Sequence, residues 1–190
     1  MKRHLFLTGP IGCGKSTIIL HALGPERLQQ AGGFLTVRRR YADGRPAYFV
    51  LMDPAGKEQG VFLDLTVPEP QVDMEVFSRL GTSLLERAIT YPFVVLDEIG
   101  GIELFCPEFM AALNKLLSSD VPILGVIKGE GPASAMIARL GLTKEYEEAA
   151  RSLRSRLRDD THTAIYPCDQ LESSALLSLT ERWLKEFLHE

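Results

Sequence analysis

A glycine-rich stretch near the amino end has residue types and a spacing suited to holding a chain of phosphates. It follows the pattern G-x-x-x-x-G-K-[ST], and the candidate nucleotide-binding residues are Gly9, Pro10, Ile11, Gly12, Cys13, Gly14, Lys15, Ser16 and Thr17. Glycines let backbone N–H groups come close to phosphate oxygens, an approach that side chains at those positions would block or strain. An apolar helix is predicted to follow, and the positive end of its dipole would face the same phosphates. We expect Lys15 to neutralise the β- and γ-phosphates and the Ser16 hydroxyl to bind Mg²⁺.

An acidic pair in mid-chain supplies the other half of such a site. The apolar run 93–96 leads into Asp97, and Glu98 follows at once. Because ligands gather at the carboxyl ends of parallel strands, we expect Asp97 beside the phosphate loop, where it would hold Mg²⁺ together with Ser16. Glu98 would then act as general base on a water molecule in line with the γ-phosphate, the alternative being a solvated turn carboxylate. The candidate catalytic residues are therefore Lys15 and Glu98, and the candidate metal ligands are Ser16 and Asp97.

Other charged residues leave two interpretations open. The two arginine sets are the strand run Arg38, Arg39 and Arg40 and the helical set Arg151, Arg154 and Arg158. The strand run is either an exposed face or the source of one side chain that reaches phosphates or a partner. The helical set is either a solvated face or a lid or arginine finger that stabilises charge on the transferred phosphoryl group. Lys128, after a predicted strand, is a candidate sensor of the γ-phosphate, and Glu103 either caps the next helix or reaches the site.

The composition is that of a globular protein with a buried core. The chain has 190 residues, 45% hydrophobic and 24% charged, and a formal net charge of −4. One domain is expected over residues 1–190. The charge argues against bulk attraction to nucleic acid or an anionic membrane, and no stretch approaches the ~20 apolar residues of a membrane span. The three cysteines, odd in number and far apart in sequence, favour a reducing, cytoplasmic location. Cys13 is expected to be a small side chain that fits the loop, with a reactive thiol as the alternative.

Hydrophobic periodicity predicts strands that alternate with helices. The predicted strands are 4–8, 93–97, 122–128 and 163–167, and the predicted helices are 16–23, 73–88, 107–117, about 132–140, about 144–158 and the C-terminal segment. Asp73 is the expected N-cap of the second helix. The residues expected to face the core in the helices 107–117, about 144–158 and the C-terminal segment are, in turn, Phe109, Met110, Leu113, Leu116 and Leu117, then Tyr146, Ala150, Leu153 and Leu157, then Leu176, Leu179, Trp183 and Phe187. Over about 33–65, β-rich runs are split by turn-forming clusters, which predicts an antiparallel insertion after the first helix. Strands that are apolar throughout indicate an α/β fold with a mostly parallel sheet covered on both faces by helices.

These motifs together resemble a known family. The stretches GPIGCGKST, GGFLTVRRR and VVLDEIGGIELFCPEF, in this order, are similar to the cancer-related nucleoside-triphosphatase family of small P-loop proteins. The resemblance implies a RecA-like P-loop NTPase fold, with a Walker A loop at Gly9–Ser16 and a Walker B strand ending at Asp97. It also implies Mg²⁺-dependent hydrolysis of nucleoside triphosphates to diphosphate and phosphate. The sequence departs from the family after the strand at 122–128 and in the segment YPCDQLES, where relatives carry an Asn-Arg pair.

The main hypothesis is a cytoplasmic, Mg²⁺-dependent nucleoside-triphosphatase that accepts ATP, GTP and other nucleoside triphosphates. Two alternative functions would use the same phosphate-binding loop. One is a small-molecule or nucleotide kinase that passes the γ-phosphate to an acceptor. The other is a nucleotide-dependent accessory or switch protein with little turnover. The expected partner is the nucleoside triphosphate, with neither nucleic acid nor membrane, and the sequence indicates no protein partner.

Overall fold

Strands and helices alternate along the computed structural model, which describes residues 1–129, 137–138 and 141–188. The strands within these residues are β1 (His4–Thr8), β2 (Ala31–Arg40), β3 (Pro46–Met52), β4 (Gln59–Asp64), β5 (Gln71–Val72), β6 (Phe93–Ile99), β7 (Ile123–Ile127) and β8 (Thr163–Pro167). They form one eight-stranded sheet in the order β5-β4-β3-β2-β6-β7-β1-β8. The strand that leads into the phosphate loop, β1, is therefore separated from the strand of the acidic pair, β6, by β7.

Helices cover both faces of this sheet. Within the described residues they are α1 (Lys15–Leu28), α2 (Thr82–Ala88), α3 (Pro107–Leu117), α4 (Thr143–Asp159) and α5 (Ser173–Leu188). A π-helical turn at Val76–Gly81 leads into α2, and a 3₁₀ turn at Ile102–Phe105 joins β6 to α3. The predicted mixed α/β sheet with flanking helices is confirmed.

The half of the sheet around β1 is parallel and buried on both sides. β2 pairs with β6, β6 with β7, β7 with β1 and β1 with β8, all in parallel. Leu5, Leu7 and Val95 pack on one face with α1 and α5, whereas Phe6 and Val94 pack on the other with α2, α3 and α4. Because both faces are covered, these strands are mostly apolar. Because they are parallel, their carboxyl ends meet at one edge of the sheet.

The other half of the sheet is antiparallel and differs in extent from the prediction. β2 is long enough to serve both halves, since Ala31–Phe34 pair with β6 and Leu35–Arg40 pair with β3. β3 pairs with β4 and β4 with the short β5, both antiparallel. The antiparallel region thus reaches Val72, beyond the predicted end near residue 65, because a two-residue strand gives no alternating pattern to detect.

Helix boundaries also differ from the sequence patterns in several places. α1 runs to Leu28 rather than ending near residue 23, with non-helical torsions at Gly24 just before Pro25. Asp73 accepts the Glu75 N–H at 2.9 Å, a contact typical of an N-cap carboxylate, but the helical turn itself begins only at Val76, with Glu75 at the N-cap position. The predicted helix at 132–140 lies outside the described residues except for 137–138, which are helical.

The predicted buried faces are close to those observed. In α4 the predicted inward residues are all buried: Tyr146, Ala150, Leu153 and Leu157. In α5, Leu176 and Trp183 are buried as predicted, but the two other predicted positions, Leu179 and Phe187, are only half-buried. Met110 of α3 is likewise half-buried. Within the described part of the chain, no helix combines the length and the apolar character needed to cross a bilayer.

Candidate active site

The predicted phosphate loop and the acidic pair meet at the carboxyl edge of the parallel strands. A cavity of about 240 Å³ opens there, lined among others by Gly12, Lys15, Ser16, Arg38 and Glu98. The loop comes from the β1–α1 connection, and Glu98 comes from the end of β6. The sheet order and the parallel pairing therefore bring together residues more than eighty positions apart in the chain.

The phosphate loop needs glycine mainly for its backbone conformation. The φ angles of Gly9, Gly12 and Gly14 are 135°, 83° and 90°, in the region that other residues rarely adopt. Among the described residues, no atom lies within 4 Å of a Cβ on Gly12 or Gly14, so backbone strain rather than crowding selects glycine there. Pro10 and Ile11 are exposed at the tip of the loop.

Lys15 places its ammonium group inside the loop. The side chain is buried, and Nζ donates to the carbonyl oxygens of Gly9 at 2.8 Å and Pro10 at 2.7 Å. A third, weaker contact of 3.5 Å runs from Nζ to the sulfur of Cys13. The loop thus curls around a fixed positive charge at the start of α1, where the helix dipole adds to the attraction for anions.

Ser16 and Asp97 are hydrogen-bonded across the site. Ser16 Oγ donates to Asp97 Oδ1 at 2.7 Å, and the Thr36 N–H donates to Oδ2 at 3.4 Å. Asp97 is only 4% exposed, and this burial raises its pKa to about 6 against the lowering effect of the Ser16 hydrogen bond. A buried carboxylate beside a hydroxyl at the wall of a cavity is a donor set that suits a hard divalent cation such as Mg²⁺.

That donor set is a small one. Within residues 1–129, 137–138 and 141–188, the structure contains no group of three or more His, Cys, Asp or Glu side chains that could hold a metal ion. Mg²⁺ commonly binds one or two protein groups together with waters and substrate phosphates. Ser16 and Asp97 fit that pattern better than an all-protein cage.

Glu98 is held by an arginine from the neighbouring strand. Arg38 Nη2 donates to Glu98 Oε1 at 2.7 Å, and the guanidinium lies 5.4 Å from the centre of the Phe49 ring. Of the three arginines on β2, Arg38 is half-buried in the site, whereas Arg39 and Arg40 are exposed. The exposed-face interpretation therefore holds for two of the run and is wrong for Arg38.

The turn after Glu98 is fixed by buried polar groups. Glu103 Oε1 accepts the N–H groups of Gly100 at 2.6 Å and Gly101 at 2.8 Å, and the Tyr146 hydroxyl donates to the Gly100 carbonyl at 2.9 Å. Burial raises the pKa of Glu103, with the charge of Lys128 acting in the opposite direction. Glu103 thus supports the turn instead of capping α3 or lining the phosphate cavity.

Lys128 and the helical arginines lie away from this cavity. The Lys128 ammonium points at the Gly101 turn, where it would lie 2.9 Å from a Cβ on that glycine. Arg154 and Arg158 line a second cavity of about 540 Å³ that also includes Gly9 and Pro10. Arg154 and Arg158 therefore lie beside the Gly9–Pro10 end of the phosphate loop, whereas Arg151 is exposed.

Three site features escaped the sequence patterns. Thr36 contacts Asp97 through both its N–H and its hydroxyl, which donates to the Asp97 carbonyl at 3.0 Å. The helical spacing predicts Tyr146 only as a core residue, and the arginine run does not single out Arg38. All three contacts depend on pairing between distant segments, and the only local signal was the alternation that separates Arg38 from Arg39.

Comparison with known proteins gives a consistent result. The model of the NTPase family matches residues 4–160. The chain is 31% identical to the nucleoside-triphosphatase THEP1 of Methanosarcina acetivorans, over 64% of this chain and 73% of that protein. It is 30% identical to the human cancer-related nucleoside-triphosphatase, over 87% of this chain and 97% of that protein.

A solved structure resembles the whole architecture. The solution structure of a human cancer-related nucleoside triphosphatase superimposes with a TM-score of 0.64 at 25% identity, covering 96% of each chain. The resemblance predicted from the sequence motifs is thereby confirmed. The chain belongs to the NTPase family, a family of nucleoside-triphosphatases.

Proposed function

We propose that this chain hydrolyses nucleoside triphosphates, including ATP and GTP, to nucleoside diphosphate and phosphate in a Mg²⁺-dependent reaction. The observation that carries the proposal is the 2.7 Å hydrogen bond between Ser16 and Asp97, in a site that also holds Lys15 and Glu98. The names of the relatives support the reaction class. We further propose that residues 1–190 form one RecA-like P-loop domain in the cytoplasm, with a nucleoside triphosphate as its partner.

The phosphate loop would bind the triphosphate tail. Residues Gly9–Thr17 would present backbone N–H groups to the phosphate oxygens, as the positive φ angles of the loop glycines allow. The Lys15 ammonium, already fixed by two loop carbonyls, would face the β- and γ-phosphates. Binding at this point would also gain from the N-terminal end of α1.

Ser16 and Asp97 would hold Mg²⁺ from the protein side. When bound, the ion would neutralise charge on the phosphates and help to fix their orientation. The Ser16 hydroxyl is held next to the carboxylate by their hydrogen bond, and the Thr36 N–H keeps Asp97 in place. Burial of Asp97 favours a cation in this position, because an isolated buried carboxylate is costly.

Glu98 would orient and deprotonate the attacking water. Its carboxylate lines the cavity beside Lys15 and Ser16, and Arg38 fixes its position through Oε1, which leaves Oε2 for the water. Arg38 is in this proposal a positioning residue. The attacking water would lose its proton to Glu98, and the γ-phosphoryl group would leave the diphosphate.

The Glu98→Gln variant tests this assignment. We expect it to bind nucleotide with unchanged affinity but to lower turnover by roughly 10²-fold or more, the scale of positioned general-base catalysis. Lys15→Ala should weaken both binding and turnover. Glu26→Gln, at an exposed position of α1, is the matched control and should do neither. Phosphate release and nucleotide titration measure the two effects, and normal turnover in Glu98→Gln would remove Glu98 from the mechanism.

A further inference from the structure

The fold brings two of the three cysteines together at the phosphate loop. Cys13 lies in the loop and Cys168 follows β8, and both are free and half-buried. Cys106, at the start of α3, is buried, and its contact is with Glu108 at 3.4 Å. The sequence separation of Cys13 and Cys168 hides their proximity, which arises because β1 and β8 are parallel neighbours.

Gly9 lies next to both cysteines. A Cβ on Gly9 would lie 3.3 Å from the Cys13 sulfur and 3.5 Å from the Cys168 backbone nitrogen. The Cys168 N–H donates to the Thr8 carbonyl at 2.8 Å, which fixes the start of the loop after β8 against the end of β1. The two thiols are close enough that Cys13 contributes to raising the pKa of Cys168.

The surroundings of the two sulfurs differ in a way that suits stepwise oxidation. The Lys15 ammonium contacts the Cys13 sulfur at 3.5 Å, in a loop whose tip is exposed to solvent. Burial and the neighbouring Cys13 raise the pKa of Cys168 to about 11, so this residue stays a neutral thiol at physiological pH. Cys13 is therefore the attacking sulfur and Cys168 the resolving one.

We propose that Cys13 and Cys168 are a redox modification site, at which a disulfide ties the phosphate loop to the segment after β8 and weakens nucleotide binding. The oxidant class is a small disulfide such as glutathione disulfide. Cys13 thiolate attacks one of its sulfurs and displaces one glutathione thiolate. Cys168 then loses its proton and attacks the Cys13 sulfur, which releases the second glutathione. The protein loses two hydrogen atoms, and two glutathione thiols are formed.

The weaker binding follows from the position of Cys13. Gly12 and Gly14, on either side of it, have φ angles of 83° and 90° and supply the loop N–H groups that would face the phosphates. A covalent bond to Cys168 draws the Cys13 sulfur away from Lys15 and towards β8, so the loop loses its freedom to adjust around a phosphate chain. Bound nucleotide should in turn protect Cys13. This part of the inference rests on the proposed nucleotide site.

The experiment treats the full chain with glutathione disulfide and maps disulfides by non-reducing peptide mass spectrometry. We expect one linked pair, Cys13–Cys168, with Cys106 remaining a free thiol. Binding of a fluorescent ATP analogue should weaken by about 10-fold or more and return to its original value after reduction with dithiothreitol. Reduced Cys168→Ser should bind the analogue normally, and after oxidation it should carry a mixed Cys13–glutathione disulfide without any linked pair, whereas Cys106→Ser should form the Cys13–Cys168 pair like the wild type.

The two readouts separate this inference from the proposed function. The peptide map needs no nucleotide, and it decides whether the cysteine pair forms even if the reduced protein fails to bind the analogue. In the wild type, stable mixed glutathione disulfides without a linked pair would overturn the proposal, as would a pair that includes Cys106. A Cys13–Cys168 disulfide that leaves binding unchanged would overturn its effect on the loop.

Discussion

The backbone of Glu98 is held in an unusual conformation. Its φ angle is 69°, and in the described part of the chain it is the one residue other than glycine with a positive φ. Such conformations cost about 1–3 kcal/mol and persist where the surrounding structure imposes them. Here the Arg38 ion pair and the Glu103-supported turn at Gly100 and Gly101 do so. The strain directs the Glu98 carboxylate into the cavity beside Ser16 instead of along the strand.

Removal of Arg38 tests the role of the ion pair. We expect Arg38→Ala to lower kcat by about 10-fold or more while KM changes little, because a small displacement of a catalytic group is costly. Arg38→Lys should recover part of the rate, since it retains the charge but not the planar geometry. Arg39→Ala, on the exposed side of the same strand, is the control. Steady-state kinetics decide the point, and equal effects of the two alanine variants would rule out a positioning role for Arg38.

At the level of secondary structure, Gly32 and Gly33 of β2 allow this strand to pack closely against both β6 and α2. A Cβ on Gly33 would lie 2.1 Å from the Val95 carbonyl oxygen, and one on Gly32 would lie 2.9 Å from the Ala88 Cα. Gly33 also has a φ angle of 91°. These contacts keep β2 close to β6 and α2 at the end of β2 that leads towards Arg38.

Substitution of Gly33 should therefore lower the free energy of unfolding much more than substitution of a glycine that has a positive φ but no close neighbours. We expect Gly33→Ala to lower the free energy of unfolding by about 3 kcal/mol or more, through overpacking added to backbone strain. Gly44→Ala is the matched control, because Gly44 has a φ angle of 84° and no atom within 4 Å of its Cβ position. It should cost about 1 kcal/mol. Urea denaturation measures both, and similar losses would contradict a packing role for Gly33.

Local patterns were sufficient for the elements that follow one period from end to end. The strand His4–Thr8 and the buried stripe of Tyr146, Ala150, Leu153 and Leu157 agree with their predictions. β2 was harder, because the same strand is paired in parallel at one end and antiparallel at the other. The Arg38–Glu98 pair could not be predicted for a related reason, since it depends on the register between two strands sixty residues apart. The phosphate loop could be predicted because its whole pattern is contiguous in the sequence.

At the scale of the whole molecule, stability should depend on the protonation of a buried histidine at the start of β1. His4 is buried in β1, which has a paired strand on each side, and among the described residues its Nδ1 has no hydrogen-bond partner. Burial lowers its pKa from 6.5 to about 4. Between these values the unfolded chain binds a proton that the folded chain does not, so stability falls as the pH drops from 6.5 towards 4.

Unfolding measured as a function of pH tests this dependence. His4→Leu should remove about 3 kcal/mol of acid destabilisation between pH 6.5 and 4, judged by its difference from the wild type at each pH. The comparison is needed because Asp97, whose pKa is raised to about 6, changes stability in the opposite direction over an overlapping range. His162→Gln, at an exposed position, should keep the wild-type profile. A His4→Leu profile parallel to that of the wild type would show that His4 does not titrate in this way.

Mg²⁺-dependent hydrolysis, with water as the only acceptor of the γ-phosphate, is tested most directly by incubating the chain with ATP or GTP. The nucleoside diphosphate and the phosphate that form are measured together. We expect equal amounts of the two products with Mg²⁺, and neither when the ion is chelated or when Asp97 is replaced by Asn. Diphosphate that forms only after a hydroxyl or nucleotide acceptor is added would identify a kinase. Tight nucleotide binding without either product would identify a switch protein, and both results would contradict hydrolysis by Glu98 and water.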